Sequence, residues 1–181
     1  MKKILIITII MFSFLSKSNA SYEQLAYEFS FKSIDGGNIN LKNYKNKVIV
    51  VVNVASRCGF TNQYEDLQNL WSKYKDKNLV VVGVPTNNFK QEPGSNKDIK
   101  DFCETNFNIS FPMTEKMDVI GGNDHPFFEW AKENHGRSAI PKWNFNKIII
   151  GKDGKVADTF TSITKPSSKN FMNLIEKEIK N

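Results

Sequence analysis

Cys58 stands in the stretch VNVASRCGFTNQYEDL, residues 52–67, between an apolar run and an amphipathic one. A lone cysteine is most often a small buried hydrophobe, but this one falls where a strand gives way to a helix. The start of a helix offers unpaired N–H groups and a partial positive charge. Both favour a thiolate over a thiol, and the thiolate is the nucleophile. Arg57 adds positive charge on one side, and Gly59 lets the backbone come close to a ligand on the other. Thr61 occupies the place where a C-x-x-C pair would carry its second cysteine, so a local dithiol switch is excluded. Attack on an electrophile is not.

The chain has one other cysteine, Cys103. Two cysteines in an exported domain also fit a plain structural bridge. Closing the 45 residues between them would stabilise the fold by ~4 kcal/mol. A reactive Cys58 and a structural Cys58–Cys103 staple both stay open on this ground. The two histidines, His125 and His135, have no ligand spacing, and nothing else suggests a metal site.

The elements that would position Cys58 are legible around it. KVIVVVNVA, residues 47–55, is a continuous β-branched run, as a strand buried on both faces requires. Next, Tyr64, Leu67, Leu70, Trp71 and Tyr74 recur at helical spacing, with Thr61 as candidate N-cap. LVVVGV, residues 79–84, is a second buried strand, so the three elements form a right-handed crossover onto a parallel pair. A loop rich in turn formers, PTNNFKQEPGS, follows. Ser95 and Asp98 then read as a capping box for a helix with Ile99, Phe102 and Cys103 on its apolar face. PFFEWAKENH, from Pro126, is a short helix. NKIII and KVADTF flank a turn at Asp153-Gly154 as a hairpin. SSKNFMNLIEKEIKN is a closing helix with Phe171, Leu174, Ile175 and Ile179 on one face. The whole reads β-α-β, then helix, strand, helix, hairpin, helix: an α/β, three-layer domain with a central mixed sheet flanked by helices. That order fits a thioredoxin-like fold.

The chain has 181 residues and a net charge of +6. It opens MKK, runs ILIITIIMFSFL and closes on SKSNA, the pattern of a secretory signal cut after Ala20. The apolar stretch is shorter than the ~20 residues of a spanning helix; an uncleaved anchor is the alternative. Residues 21–181 then form one domain, with no stable membrane insertion once the signal is gone, in a periplasmic or extracellular location. Removing residues 1–20 takes away Lys2, Lys3 and Lys17 and no acid, halving the net charge. The rest is a mixed, solvated Lys–Glu–Asp surface with no arginine-rich patch, which excludes a nucleic-acid partner.

Five segments in order, NVASRCGFTNQY, NNFKQEPGS, DFCETNFNISFPM, KWNF and TKPSS, resemble the signature segments of the glutathione peroxidase family. The match runs from about Tyr27 to the closing helix. The resemblance implies a thioredoxin-like fold and reduction of hydrogen peroxide and organic hydroperoxides. It implies that Cys58 is the active cysteine, where some members carry selenocysteine, and that Trp143 and Asn144 stand beside it. Asn88 matches the position of a family Gln, one methylene shorter, in a loop one residue shorter than the usual spelling. Cys103 matches the resolving cysteine of members that depend on thioredoxin. Captured by Cys103, a Cys58 sulfenic acid would become a disulfide. A thioredoxin-like protein or glutathione would then reduce it, and no prosthetic cofactor is implied. Because Cys103 shares a helix face with Ile99 and Phe102, its helix, residues 97–106, would have to unwind locally to reach Cys58. The short span between TEKMDV and KWNF lacks the extra loop of tetrameric members and implies a monomer. A thiol–disulfide exchange protein on the same fold, and a non-catalytic module with one bridge, are the alternatives to a peroxidase.

Overall fold

The computed structural model describes residues 22–181, so the reading of residues 1–20 as an export signal lies outside the described residues. Ten elements follow in order: β1 (Ser30–Lys32), β2 (Asn38–Asn40), β3 (Val48–Val54), α1 (Gln63–Tyr74), β4 (Leu79–Pro85), α2 (Asn96–Phe107), α3 (Pro126–His135), β5 (Lys147–Ile150), β6 (Val156–Phe160) and α4 (Lys169–Lys180). The two valine-rich runs are β3 and β4, and every residue of both is buried. They pair in parallel from Val48 opposite Leu79 to Val54 opposite Pro85, with α1 as the crossover. β5 joins the other edge of β3 antiparallel, and β6 joins β5, giving the order β4-β3-β5-β6. Among the described residues this is the mixed sheet that the sequence predicts.

Alternation of side chains along β3 divides the core in two. Val48, Val50, Val52 and Val54 pack with Tyr64, Leu67 and Leu70 of α1, Ile99 and Cys103 of α2, and Phe171 and Ile175 of α4. Ile49 and Val51 face the opposite way, towards Phe127, Trp130 and Ala131 of α3 and Phe31 and Ile39 of the β1–β2 hairpin. Three layers result, because each strand of the centre must bury both faces.

Local signals mostly decide the element ends. Ser95 caps α2: its Oγ accepts from the Asp98 N–H while the Asp98 carboxylate accepts from the Ser95 N–H. Gly154 holds the β5–β6 turn at φ 79°, a value that suits glycine because it has no Cβ to clash. Two expectations differ from the structure. α1 starts at Gln63 rather than at Thr61, and its N-cap is Asn62, which makes no side-chain cap bond. Between α2 and α3 there is no strand; residues 113 and 114 make only single bridges, to Gly83 and Ser33. Residues 112–114 meet β4 at Gly83: Gly83 N–H donates to the Pro112 carbonyl, Thr114 N–H donates to the Gly83 carbonyl, and Met113 packs over the glycine, its sulfur 2.3 Å from where a Cβ would be.

One buried residue of the sheet is charged. Lys147 of β5 is fully buried, and its Nζ donates to the Gln63 Oε1 and the Thr164 carbonyl. Burial pushes its amine down to about 7; Asp66, the charge that opposes the shift, does not offset it. The unfolded chain therefore binds more protons than the folded one above pH 7. Stability should rise by about 1 kcal/mol between pH 7.0 and 8.5 in urea titrations, below the range in which Cys103 would reverse the trend. A Lys147→Met variant should lose that slope.

Candidate active site

β3 and β4 end at the same edge of the sheet, where antiparallel pairing also brings the start of β5 and the end of β6. Four loops gather there: 55–62, 86–95, 136–146 and 161–168. Every exposed charge they carry is positive: Arg57, Lys90, Arg137, Lys142 and Lys165. Their single carboxylate, Glu92, is buried.

Cys58 lies in the first loop, five residues ahead of α1, and only 9% of it is exposed. Successive tight turns carry the chain from it into the helix: Thr61 N–H donates to the Cys58 carbonyl, Gln63 N–H to Phe60 and Tyr64 N–H to Thr61. The sulfur accepts from the Phe60 N–H at 3.4 Å. Thr61 does not cap α1. Its Oγ1 accepts from the Cys58 N–H at 3.0 Å and donates to the Ala55 carbonyl at 2.9 Å. The residue in place of a second cysteine is thus a staple for the loop that presents the first. Thr61→Val keeps the shape and removes both bonds; it should cost about 1–2 kcal/mol of stability in urea unfolding.

The second loop clamps the first. Ser56 donates through N–H and Oγ to Glu92 Oε2, at 2.7 and 2.9 Å. Burial raises the Glu92 carboxyl above its ordinary range, and the Ser56 bonds oppose that shift. Arg57 N–H donates to the Gln91 carbonyl at 3.0 Å. The Gln91 side chain in turn accepts from Asn144 Nδ2 at 2.9 Å. Asn144 is fully buried, and its Oδ1 has no partner.

Trp143 and Asn144, adjacent in sequence, face different surroundings. Trp143 is 41% exposed and rests on Phe89, ring centroids 5.5 Å apart. Asn53, the one polar side chain of β3, holds the backbone on either side of Asn144. Its Nδ2 donates to the Trp143 carbonyl at 3.0 Å, its Oδ1 accepts from the Asn146 N–H at 3.2 Å, and its own carbonyl accepts from the Phe145 N–H at 2.6 Å. Ser162 Oγ donates to the Asn144 carbonyl at 2.6 Å, which ties the loop 161–168 to this stretch; the next residue, Ile163, is 81% exposed.

Cys58, Trp143 and Asn144 are therefore gathered by one set of loops. Asn88 is turned elsewhere. Its Oδ1 accepts from Thr86 Oγ1 and the Val119 N–H, and its Nδ2 donates to Asp118 at 2.9 Å. The shortened loop spends this amide on pinning residues 118–119. Sequence reasoning passed over Asn53, Gln91 and Glu92. An asparagine inside a valine strand is the available signal for Asn53; Gln91 and Glu92 lie in the segment NNFKQEPGS of the resemblance, which gave neither of them a role.

Cys103 sits inside α2, 2% exposed, and is not bonded to Cys58. Burial pushes its thiol up to about 11; the Tyr64 hydroxyl opposes the shift and the Glu92 and Glu104 carboxylates add to it. The Tyr64 hydroxyl, itself sealed in the core, makes no hydrogen bond that meets normal geometry and has this sulfur as its polar neighbour.

A thioredoxin fold with one cysteine just past the end of the central parallel strand, and a threonine at the second C-x-x-C place, defines a class without a local dithiol. Residues 26–132 match the model of the family described as glutathione peroxidase. The chain is 42% identical over 149 residues to the hydroperoxy fatty acid reductase gpx1 of Synechocystis, covering 77% of this chain and 88% of that one. It is 43% identical over 147 residues to the glutathione peroxidase-like peroxiredoxin 2 of Saccharomyces cerevisiae, covering 78% and 90%. Among solved structures, Trgpx in apo form superposes with TM-score 0.68 at 32% identity, covering 87% of this chain and 97% of that one. A thioredoxin-family thiol:disulfide interchange protein of Chlorobium tepidum superposes at 0.64 with 14% identity, covering 83% and 92%, a likeness of fold alone. The chain belongs to the glutathione peroxidase family and is a thiol peroxidase.

Proposed function

We propose that Cys58 is the peroxidatic cysteine and Cys103 the resolving one. The Cys58 thiolate attacks the terminal oxygen of a hydroperoxide. An S–O bond forms, the O–O bond breaks, and the departing alkoxide or hydroxide takes a proton and leaves as alcohol or water. The sulfur is oxidised by two electrons to sulfenic acid. The observation that carries this reading is the convergence of Cys58, the exposed Trp143 and the buried Asn144 on four loops at one sheet edge. The Phe60 N–H directed at the sulfur is a donor where negative charge moves, and this reading gives the indole N–H of Trp143 the same part. Asn88, matched by resemblance to a family Gln, supports this site only from a distance, as a brace of its loop.

Cys103 then attacks the Cys58 sulfur, water leaves, and an intramolecular disulfide forms. A dithiol protein of thioredoxin type is the reductant that such a disulfide suits, with glutathione as the alternative. The chemistry needs no prosthetic group; the co-substrate is a thiol. Hydrogen peroxide and organic hydroperoxides are the substrates, and the exposed Trp143 paired with Phe89 favours an organic group on the peroxide. The protein works as a monomer in an exported location, set by residues 1–20. Peptide mapping under non-reducing conditions after one equivalent of peroxide should recover Cys58 joined to Cys103. Recovery of Cys58 as sulfenic acid with Cys103 still free, in the presence of no other thiol, would remove Cys103 from the cycle.

A further inference from the structure

We propose that Gln91 is a positioning residue for the peroxide reaction, holding the Asn144 amide in register with the Cys58 loop. This rests on the assignment of Cys58 above. Gln91 touches both sides of the site. Its carbonyl accepts from the N–H of Arg57, next to Cys58, and its side-chain oxygen accepts from Asn144 Nδ2 at 2.9 Å. It lies in the segment NNFKQEPGS, to which the resemblance gave a role only at Asn88.

Three observations favour Gln91 over Asn88 in that place. Asn88 has both ends of its amide committed to Thr86, Asp118 and Val119. Asn144 is fully buried, and no group among the described residues pairs with its Oδ1, so its orientation rests on Nδ2. Among the described residues the bond from Nδ2 to Gln91 is the one hydrogen bond of the Asn144 side chain; Ser162 and Asn53 bond the backbone carbonyls of Asn144 and Trp143 and leave that amide free to turn. Losing the Gln91 amide would free the Asn144 side chain to rotate while the backbone clamp of Gln91 to Arg57 stays in place. Small misplacements of this kind cost rate rather than stability.

The test compares Gln91→Leu, Gln91→Glu and Asn88→Ala in the full domain, by the rate of Cys58 oxidation with hydrogen peroxide and by the rate of its alkylation with iodoacetamide. Gln91→Leu should slow oxidation about 100-fold and leave alkylation within about twofold, because access to the sulfur is unchanged. Gln91→Glu keeps an acceptor, and only an acceptor, for Asn144 Nδ2; it should restore oxidation to near the wild-type rate. Asn88→Ala should change oxidation about threefold at most. The proposal is overturned if Gln91→Leu oxidises at the wild-type rate, if oxidation and alkylation fall together, if Gln91→Glu is no better than Gln91→Leu, or if Asn88→Ala loses as much. Peroxide consumption by Cys58→Ser would instead bring down the assignment on which it rests.

Discussion

Replacing Cys58 by serine is expected to abolish peroxide consumption, by at least about 10³-fold in a single-turnover assay, with the fold intact. The hydroxyl is of nearly equal size, so the Phe60 N–H and the Thr61 staple keep their geometry. Its loss is chemical: serine is a weak nucleophile without an adjacent base. The four loops offer none. Among their residues the one carboxylate, Glu92, is buried and spent on Ser56, and no histidine lies on them. Unchanged unfolding midpoints together with lost peroxide consumption are the required pair. A serine variant that still consumes peroxide at the wild-type rate ends the assignment.

Replacing Cys103 by serine should separate the two halves of the cycle. The first equivalent of peroxide is consumed at the wild-type rate, since Cys103 lies inside α2 rather than on the Cys58 loop. Steady turnover with a thioredoxin-type reductant should then fall by about 100-fold or more, because the sulfenic acid has no intramolecular partner. Burial works against resolution in the resting protein. The thiol is 2% exposed and pushed up to about 11, so almost none is thiolate at neutral pH. Resolution thus requires α2 to open and expose Cys103 to water. Peroxide should speed hydrogen exchange in residues 97–106 of the wild type. If α2 stays protected while the disulfide forms, the opening is excluded.

Much of the fold was legible because its signals are local and redundant. Val48–Val54 and Leu79–Pro85 are β-branched runs that can be little else, and Ser95 with Asp98 announces α2. The β1–β2 hairpin, with strands of three residues each, is too short to leave a periodic trace. The expected strand before α3 shrinks to single bridges at residues 113 and 114, a pairing shared between β4 and Ser33 that no local pattern announces. Thr61 has the chemistry of an N-cap, but its hydroxyl is claimed by the backbone of Cys58 and Ala55. For the site, Cys58 and Cys103 stood out by element type, and Trp143 and Asn144 by resemblance. The residues that connect them, Asn53, Gln91 and Glu92, act through partners 36 to 93 positions away. Such partnerships exist only after the sheet has brought the loops together.

The positive charges on these loops have a consequence for crowded solutions. Arg57, Lys90, Arg137, Lys142 and Lys165 sit on four different loops, so no shift of a single loop removes them. Two molecules approaching with these loops face to face repel one another. Were Cys58 oxidised as proposed, that repulsion would disfavour its capture by a second copy.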